Sequence, residues 1–130
     1  MKMGSPEELQ KKLSQELEKL KVIQKDLSKA MTAKQTLDGQ LSENKIVKEE
    51  LEFLTPENKV YKMTGPVLVQ QEIEEAKQNV EKRIMFISSE LKRTEDLLKD
   101  LSSKQEKQQE ILQELQKELQ EVHLKNAKRA

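Results

Sequence analysis

The residue types that most often perform chemistry in proteins are scarce in this chain of 130 residues. It has one histidine, His123, and no cysteine, so a zinc site or a histidine-based catalytic triad lacks its parts. Aspartate and glutamate number 24, but they fall mainly on outward positions of predicted helices, where nothing brings two of them into one cleft. The three glycines are isolated and cannot form a phosphate-binding loop. The sequence therefore predicts a protein that is not an enzyme and has no cofactor or metal.

Charge and hydropathy narrow the choice of partner and location. Lysine plus arginine also number 24, and a net charge of zero gives no strong field toward nucleic acid or anionic lipid. No run approaches the roughly 20 apolar residues that span a bilayer, and the N-terminus lacks the apolar stretch of a secretory signal. We therefore expect a soluble cytoplasmic protein with neither nucleic acid nor membrane among its partners.

The segment K-V-Y-K-M-T-G-P-V-L-V-Q, residues 59–70, is predicted to form a β-hairpin. Two apolar runs flank Thr64-Gly65-Pro66, a turn signal that joins antiparallel strands. A lone two-stranded hairpin is only marginally stable in water, and the chain contains no other strand candidate, so the missing strands must come from other chains. The predicted assembly residues are Val60, Tyr61, Met63, Gly65, Pro66, Val67, Leu68 and Val69.

Two long helices are predicted on either side of the hairpin. Ser5-Pro6 followed by Glu8 is a helix start with a capping serine, and Thr55-Pro56 is a helix stop. The predicted boundaries are a first helix over 6–55, the hairpin segment over 56–70, a second helix over 71–125 and a tail over 126–130.

Apolar residues in both helices recur at the alternating three- and four-residue spacing of a coiled-coil seam. In the first helix these are Leu9, Leu13, Leu20, Ile23, Leu27, Ala30, Leu37, Leu41 and Leu51, with polar interruptions at Glu16, Lys34, Asn44 and Lys48. In the second they are Ile73, Val80, Ile84, Ile87, Leu91, Leu98, Leu101, Leu112, Leu115, Leu119 and Val122, with polar layers at Thr94, Gln105 and Gln108. Because the hairpin reverses the chain, the seams should form an antiparallel coiled coil with both termini at one tip.

The free tip is a candidate binding surface. A two-helix coil frays at its end, and we expect it to shield its seam least there. The predicted client-binding residues are Leu9, Leu13, Leu17, Leu112, Leu115, Leu119 and Val122. The alternative is that each of them is an ordinary seam residue.

Three segments resemble the β-type subunits of prefoldin, and most closely the eukaryotic type numbered six. They are Q-K-D-L-S-K at 24–29, E-N-K-I-V-K-E-E-L at 43–51 and V-Y-K-M-T-G-P-V-L-V at 60–69. The G-P-V-L-V turn and strand followed by a helix is the more specific family mark, while the other two segments indicate the subunit type. The similarity extends over about residues 7 to 125.

The resemblance implies a mainly helical fold in which the hairpin completes a β-barrel shared between subunits. It further implies a hetero-hexameric co-chaperone of two α-type and four β-type subunits that works without ATP. Unfolded actin and tubulin would be held at the coiled-coil tips and delivered to the cytosolic group II chaperonin. A second hypothesis is a structural tether or scaffold subunit, although a tether needs only a helical loop to reverse direction and gains nothing from a strand pair.

Overall fold

The computed structural model describes residues 4–129 and contains two long helices separated by one hairpin. The elements follow in the order α1 (Pro6–Glu52), β1 (Val60–Thr64), β2 (Val67–Gln71) and α2 (Ile73–Arg129). This confirms the predicted mainly helical fold with a single antiparallel hairpin. Over residues 4–129, neither helix contains a stretch of bilayer-spanning length that is apolar enough to be a transmembrane segment.

Helix α1 begins with the predicted serine cap. The Glu8 backbone N–H donates to Ser5 Oγ at 3.2 Å, and the Leu9 N–H donates to the Ser5 carbonyl at 2.9 Å. Pro6 occupies the first helical position, where its missing N–H costs no hydrogen bond.

The end of α1 lies at Glu52, three residues before the predicted stop at Thr55. The N–H groups of Phe53 and Leu54 each donate to the carbonyl three residues earlier, at 3.3 Å, which tightens the last turn. Thr55 then starts a separate turn, because its N–H donates to Asn58 Oδ1 at 2.8 Å while its carbonyl accepts from the Asn58 N–H at 3.0 Å. This local turn competes with continued helix.

The hairpin turn contains only Gly65 and Pro66, since Thr64 is the last residue of β1. Gly65 has a φ of 61°, which a glycine adopts without steric cost, and this is the conformation that the first position of a type II′ turn requires. The proline ring fixes φ near the negative value required at the second position. The two strands pair antiparallel, from Thr64 with Val67 to Val60 with Gln71.

Helix α2 runs from Ile73 to Arg129, so the predicted tail over 126–130 is wrong for residues 126–129. No glycine or proline follows Pro66 to end the helix, and lysine and arginine near a helix C-terminus interact favourably with its dipole. Residue 130 lies outside the described part. The start is two residues later than predicted because Gln71 still pairs with Val60.

The chain divides into two compact units. The first, which we call the terminal unit, comprises described residues 4–31 and 96–129, and it contains a core cluster of Leu9, Leu13, Leu112 and Leu115. The second, the hairpin unit, comprises residues 32–95, and it contains a core cluster of Leu51, Ala76 and Val80. In each unit a part of α1 packs against a part of α2, as the antiparallel prediction requires.

Burial follows the predicted seams closely. Every residue assigned to a seam from the heptad pattern, apolar or polar, is buried or half-buried. The pattern missed Ala76, which lies outside the heptad assignment yet is buried in the hairpin unit beside Leu51.

Candidate assembly and client-binding surfaces

The hairpin presents its side chains to solvent. Residues 61–70 are all exposed, and the exposed fraction reaches 70% for Met63 and 62% for Leu68. Such values are unusual for large apolar side chains in a strand, because sheets normally bury at least one face. The hairpin therefore lacks the cover that a stable sheet needs.

Both faces of the hairpin carry apolar residues. Side chains alternate along a strand, so the paired residues Met63 and Leu68 share one face with Tyr61. Val67 and Val69 lie on the opposite face. The sheet has only the two strands β1 and β2, so each also has one edge with unpaired backbone groups. This arrangement can accept additional strands at its edges and apolar layers on both faces.

Val60 is the one predicted assembly residue that has an inward contact. It is half-buried and packs against the core of the hairpin unit, which contains Leu51, Ala76 and Val80. It thus anchors the base of the hairpin to the helices. Gly65 and Pro66 form the turn, and the other predicted assembly residues are exposed.

The predicted client-binding residues lie together in the terminal unit, but most of them are covered. Leu9, Leu13, Leu112 and Leu115 are 5–8% exposed and pack against one another. Leu119 and Val122 are half-buried against them, and we call these six residues the tip cluster. The expectation of a poorly shielded seam is wrong for the four buried leucines, because each faces apolar partners from the other helix.

Three large apolar side chains that lie within four residues of a tip-cluster residue along the chain are exposed. Leu17, predicted as a client-binding residue, is 40% exposed. Ile111 and Leu124, which were not predicted as client-binding residues, are 42% and 58% exposed. Like Leu17, both lie off the heptad seam, and a large apolar residue at such a position is the sequence signal that could have identified them.

A polar layer crosses the seam beside the tip cluster. Gln108, 7% exposed, is the sole buried polar residue recorded within the described range. Its Nε2 donates to the Glu16 carbonyl at 2.8 Å and to Glu16 Oε2 at 2.5 Å. The Gln108 hydrogen bond, followed by that of Lys19 Nζ at 3.2 Å, lowers the pKa of Glu16 below its usual value. The sequence predicted both residues as polar interruptions but not the bond between them.

Side chains that could bind a metal ion are not clustered in the described part of the chain. His123 is exposed, and residues 4–129 contain no group of three or more histidine, aspartate or glutamate side chains placed to hold a metal ion.

Comparisons with known proteins agree on one family. A family model described as "Prefoldin subunit" matches residues 7–119. Prefoldin subunit 6 of Arabidopsis thaliana is 43% identical over 68 residues, which are 52% of this chain and 53% of that protein. Prefoldin subunit 6 of Homo sapiens is 50% identical over 48 residues, 37% of each chain. The chain thus aligns with about half the length of the plant relative and about a third of the human one.

A solved structure shares the fold. The prefoldin beta subunit from Thermococcus strain KS-1 superposes with a TM-score of 0.73 and 24% sequence identity, covering 79% of this chain and 90% of that one. The family match extends over both helices and the hairpin that separates them. This chain, with its two seams and its uncovered hairpin, belongs to the prefoldin subunit family.

Proposed function

We propose that this chain is one subunit of the hetero-hexameric prefoldin co-chaperone, with two α-type and four β-type subunits. The assembly captures unfolded polypeptides, with actin and tubulin as clients, and delivers them to the group II chaperonin without ATP. Its place of action is the cytoplasm. The family match supports the subunit identity, and the balance of 24 basic and 24 acidic residues is compatible with a protein that binds neither nucleic acid nor membrane.

The observation that carries the proposal is the uncovered hairpin. Its apolar side chains point to both faces and its two edges are open, so strands from other subunits can extend the sheet and cover it. Burial of each valine or leucine contributes about 1.5–3 kcal/mol, and several such residues contribute together. The strands thus complete a β-barrel shared between subunits.

The experiment replaces Val67 and Val69, which lie on one face of the hairpin, with aspartate. The double variant should stay helical by circular dichroism, because the helices do not depend on these side chains, but should fail to enter a six-chain particle by native mass spectrometry with α-type and β-type partners. Burial of two unpaired carboxylates in the assembled sheet is the physical reason.

The matched control is Val22→Asp in α1. Val22 is 59% exposed, close to the 56% of Val67, but lies far along the chain from the hairpin. This control should assemble normally. A Val67→Asp, Val69→Asp variant that still co-elutes as a hexamer would show that the hairpin is not the assembly element. A wild-type chain that gives only a dimer with its partners would favour the tether hypothesis.

The tip cluster is the proposed client site. Non-native chains expose apolar segments, and the terminal unit combines the apolar tip cluster with the exposed side chains of Leu17, Ile111 and Leu124. The exposed residues offer a first contact with client, and the cluster offers a larger apolar surface when its two helices separate.

A further inference from the structure

The tip cluster poses a problem of access. Its four most buried leucines are 5–8% exposed and contact one another, so a client segment cannot reach them while the helices are paired. Their use as a binding surface requires the terminal segments of α1 and α2 to part. The ease of parting depends on how firmly the cluster is joined to the rest of the seam.

The seam of α2 has a long polar interval directly beside the cluster. Residues 102–110, S-S-K-Q-E-K-Q-Q-E, contain no apolar residue, and we call them the polar stretch. The seam positions within it are Gln105, which is half-buried, and Gln108, which is buried. No apolar residue therefore occupies the α2 seam between Leu101 and Leu112. On the side of the Glu16–Gln108 layer that faces away from the tip cluster, Leu20 is the one apolar residue of the described range that packs against the cluster.

Within this interval the two helices are joined by hydrogen bonds and not by apolar packing. Gln108 and Glu16 are joined by two hydrogen bonds, at 2.8 and 2.5 Å. When the helices separate, water can replace both of these bonds, so their net contribution to closure is modest. A leucine layer at the same place would instead lose all its buried contacts with no compensation. The layer thus fixes the register of the helices while holding them together only weakly.

We propose that the polar stretch and the Glu16–Gln108 layer make the tip cluster a separately opening unit, which exposes its leucines to client while the rest of the seam stays paired. Local opening of such units is common where few buried apolar contacts link a segment to the remaining structure. Client binds the open state and shifts the equilibrium toward it. The inference rests on the proposed function, because it concerns how the client site becomes accessible.

The test replaces the layer by an apolar one. Glu16→Leu with Gln108→Leu should close the tip, lowering client holding by the assembled hexamer at least about tenfold. The readout of opening is the distance between spin labels on Gln10→Cys and Gln116→Cys, two exposed positions in the terminal unit. The sequence has no cysteine of its own, so only these two sites in the chain take label. In the wild-type background, addition of denatured client should populate a longer distance, and in the leucine variant it should not.

A matched control is Thr94→Val, which makes another half-buried polar position of α2 apolar without touching the terminal unit. This control should leave both the label distance and client holding unchanged. It therefore distinguishes a general stabilisation of the seam from specific closure of the tip cluster. Retained holding by the double leucine variant, or an unchanged label distance in a wild-type hexamer that holds client, would overturn the proposal.

A serine variant of the cluster separates this result from failure of the proposed function. It changes Leu9, Leu13, Leu115, Leu119 and Val122 together. If the serine hexamer holds client as well as wild type, the tip is not the client site and both ideas fail. If the serine hexamer loses holding while the double leucine variant keeps it, the tip binds client but the polar layer does not control access.

Discussion

Gly39 and Gly65 have different backbone conformations, so replacing each with alanine should have opposite effects on stability. Gly39 lies within α1, and a Cβ built there meets no heavy atom within 4 Å. Because glycine in a helix is disfavoured relative to alanine, Gly39→Ala should raise the free energy of unfolding by about 1 kcal/mol. Gly65 has a φ of 61°, where a side chain is strained, so Gly65→Ala should lower it by about 1 kcal/mol. Urea unfolding followed by circular dichroism measures both, and a destabilising Gly39→Ala would contradict this assignment.

Glu16 should make the stability of the terminal unit depend on pH. The Gln108 hydrogen bond and then Lys19 hold the pKa of this carboxyl below its ordinary value of 4.5. A carboxylate with a lowered folded-state pKa adds stability that is present above the unfolded pKa and is lost as pH falls through the folded pKa.

The variant Glu16→Gln keeps a similar shape but cannot ionise. Wild type should therefore have a higher Tm than this variant at about pH 7, and the difference should shrink toward zero at about pH 3. A difference that stays constant over this range would show that the Glu16 charge adds nothing to stability.

At the scale of the elements, truncation of a seam residue should lower the free energy of unfolding more when that residue is more deeply buried. Leu91 in α2 is 6% exposed, so Leu91→Ala should cost about 2–5 kcal/mol through lost transfer energy and the remaining cavity. Leu119 is only half-buried in the tip cluster, so Leu119→Ala should lower the Tm much less. Equal shifts in Tm would show that the end of the terminal unit is as tightly packed as the middle of the seam.

The helices and their seams could be predicted because heptad spacing and caps are local properties of the sequence. Ser5 and Pro6 identify the start of α1 correctly, and residues as unlike as Lys34 and Leu91 lie on the seam as predicted. The ends after Glu52 and at Arg129 were missed, because a helix end depends on competition with neighbouring turns and on the absence of any breaker.

Contacts between distant residues were harder to foresee. The hydrogen bonds from Gln108 to Glu16 join residues that lie on different helices, and the heptad pattern assigns each to a seam without saying how their side chains meet. The burial of Leu9 and Leu115 at the tip was missed for the same reason, since fraying was expected from position in the chain rather than from the apolar partner opposite.

At the scale of the whole molecule, the sequence predicts that other chains are needed but not which ones. Met63 and Leu68 are paired, exposed apolar residues that need another surface to cover them. Their position on one face could be predicted because side chains alternate along the two short strands. The identity of the neighbouring subunits and of the clients depends on surfaces of those other proteins, so no pattern in this chain encodes it. The proposed neighbouring subunits and clients therefore come from the resemblance to prefoldin.

Client holding by the assembly should be multivalent and only weakly sensitive to salt. Weak apolar contacts gain strength when several tips hold one chain, because later contacts form at high effective concentration, so the hexamer should suppress aggregation of a denatured client far better than this chain by itself. Apolar contacts are not screened by ions, whereas contacts between exposed charges weaken as the Debye length falls from about 10 Å at 0.1 M to about 3 Å at 1 M.

The measurement is light scattering of diluted, denatured client at low and moderate salt, with the wild-type hexamer and the hexamer carrying the serine variant of the tip cluster. Holding by wild type should persist at both salt concentrations, and the serine variant should fail at both while remaining a hexamer. The competing possibility is that clients bind the charged helix faces, which carry much of the chain's 24 acidic and 24 basic residues. Wild-type activity that disappears in moderate salt, with the cluster leucines intact, would favour that mechanism over the apolar tip.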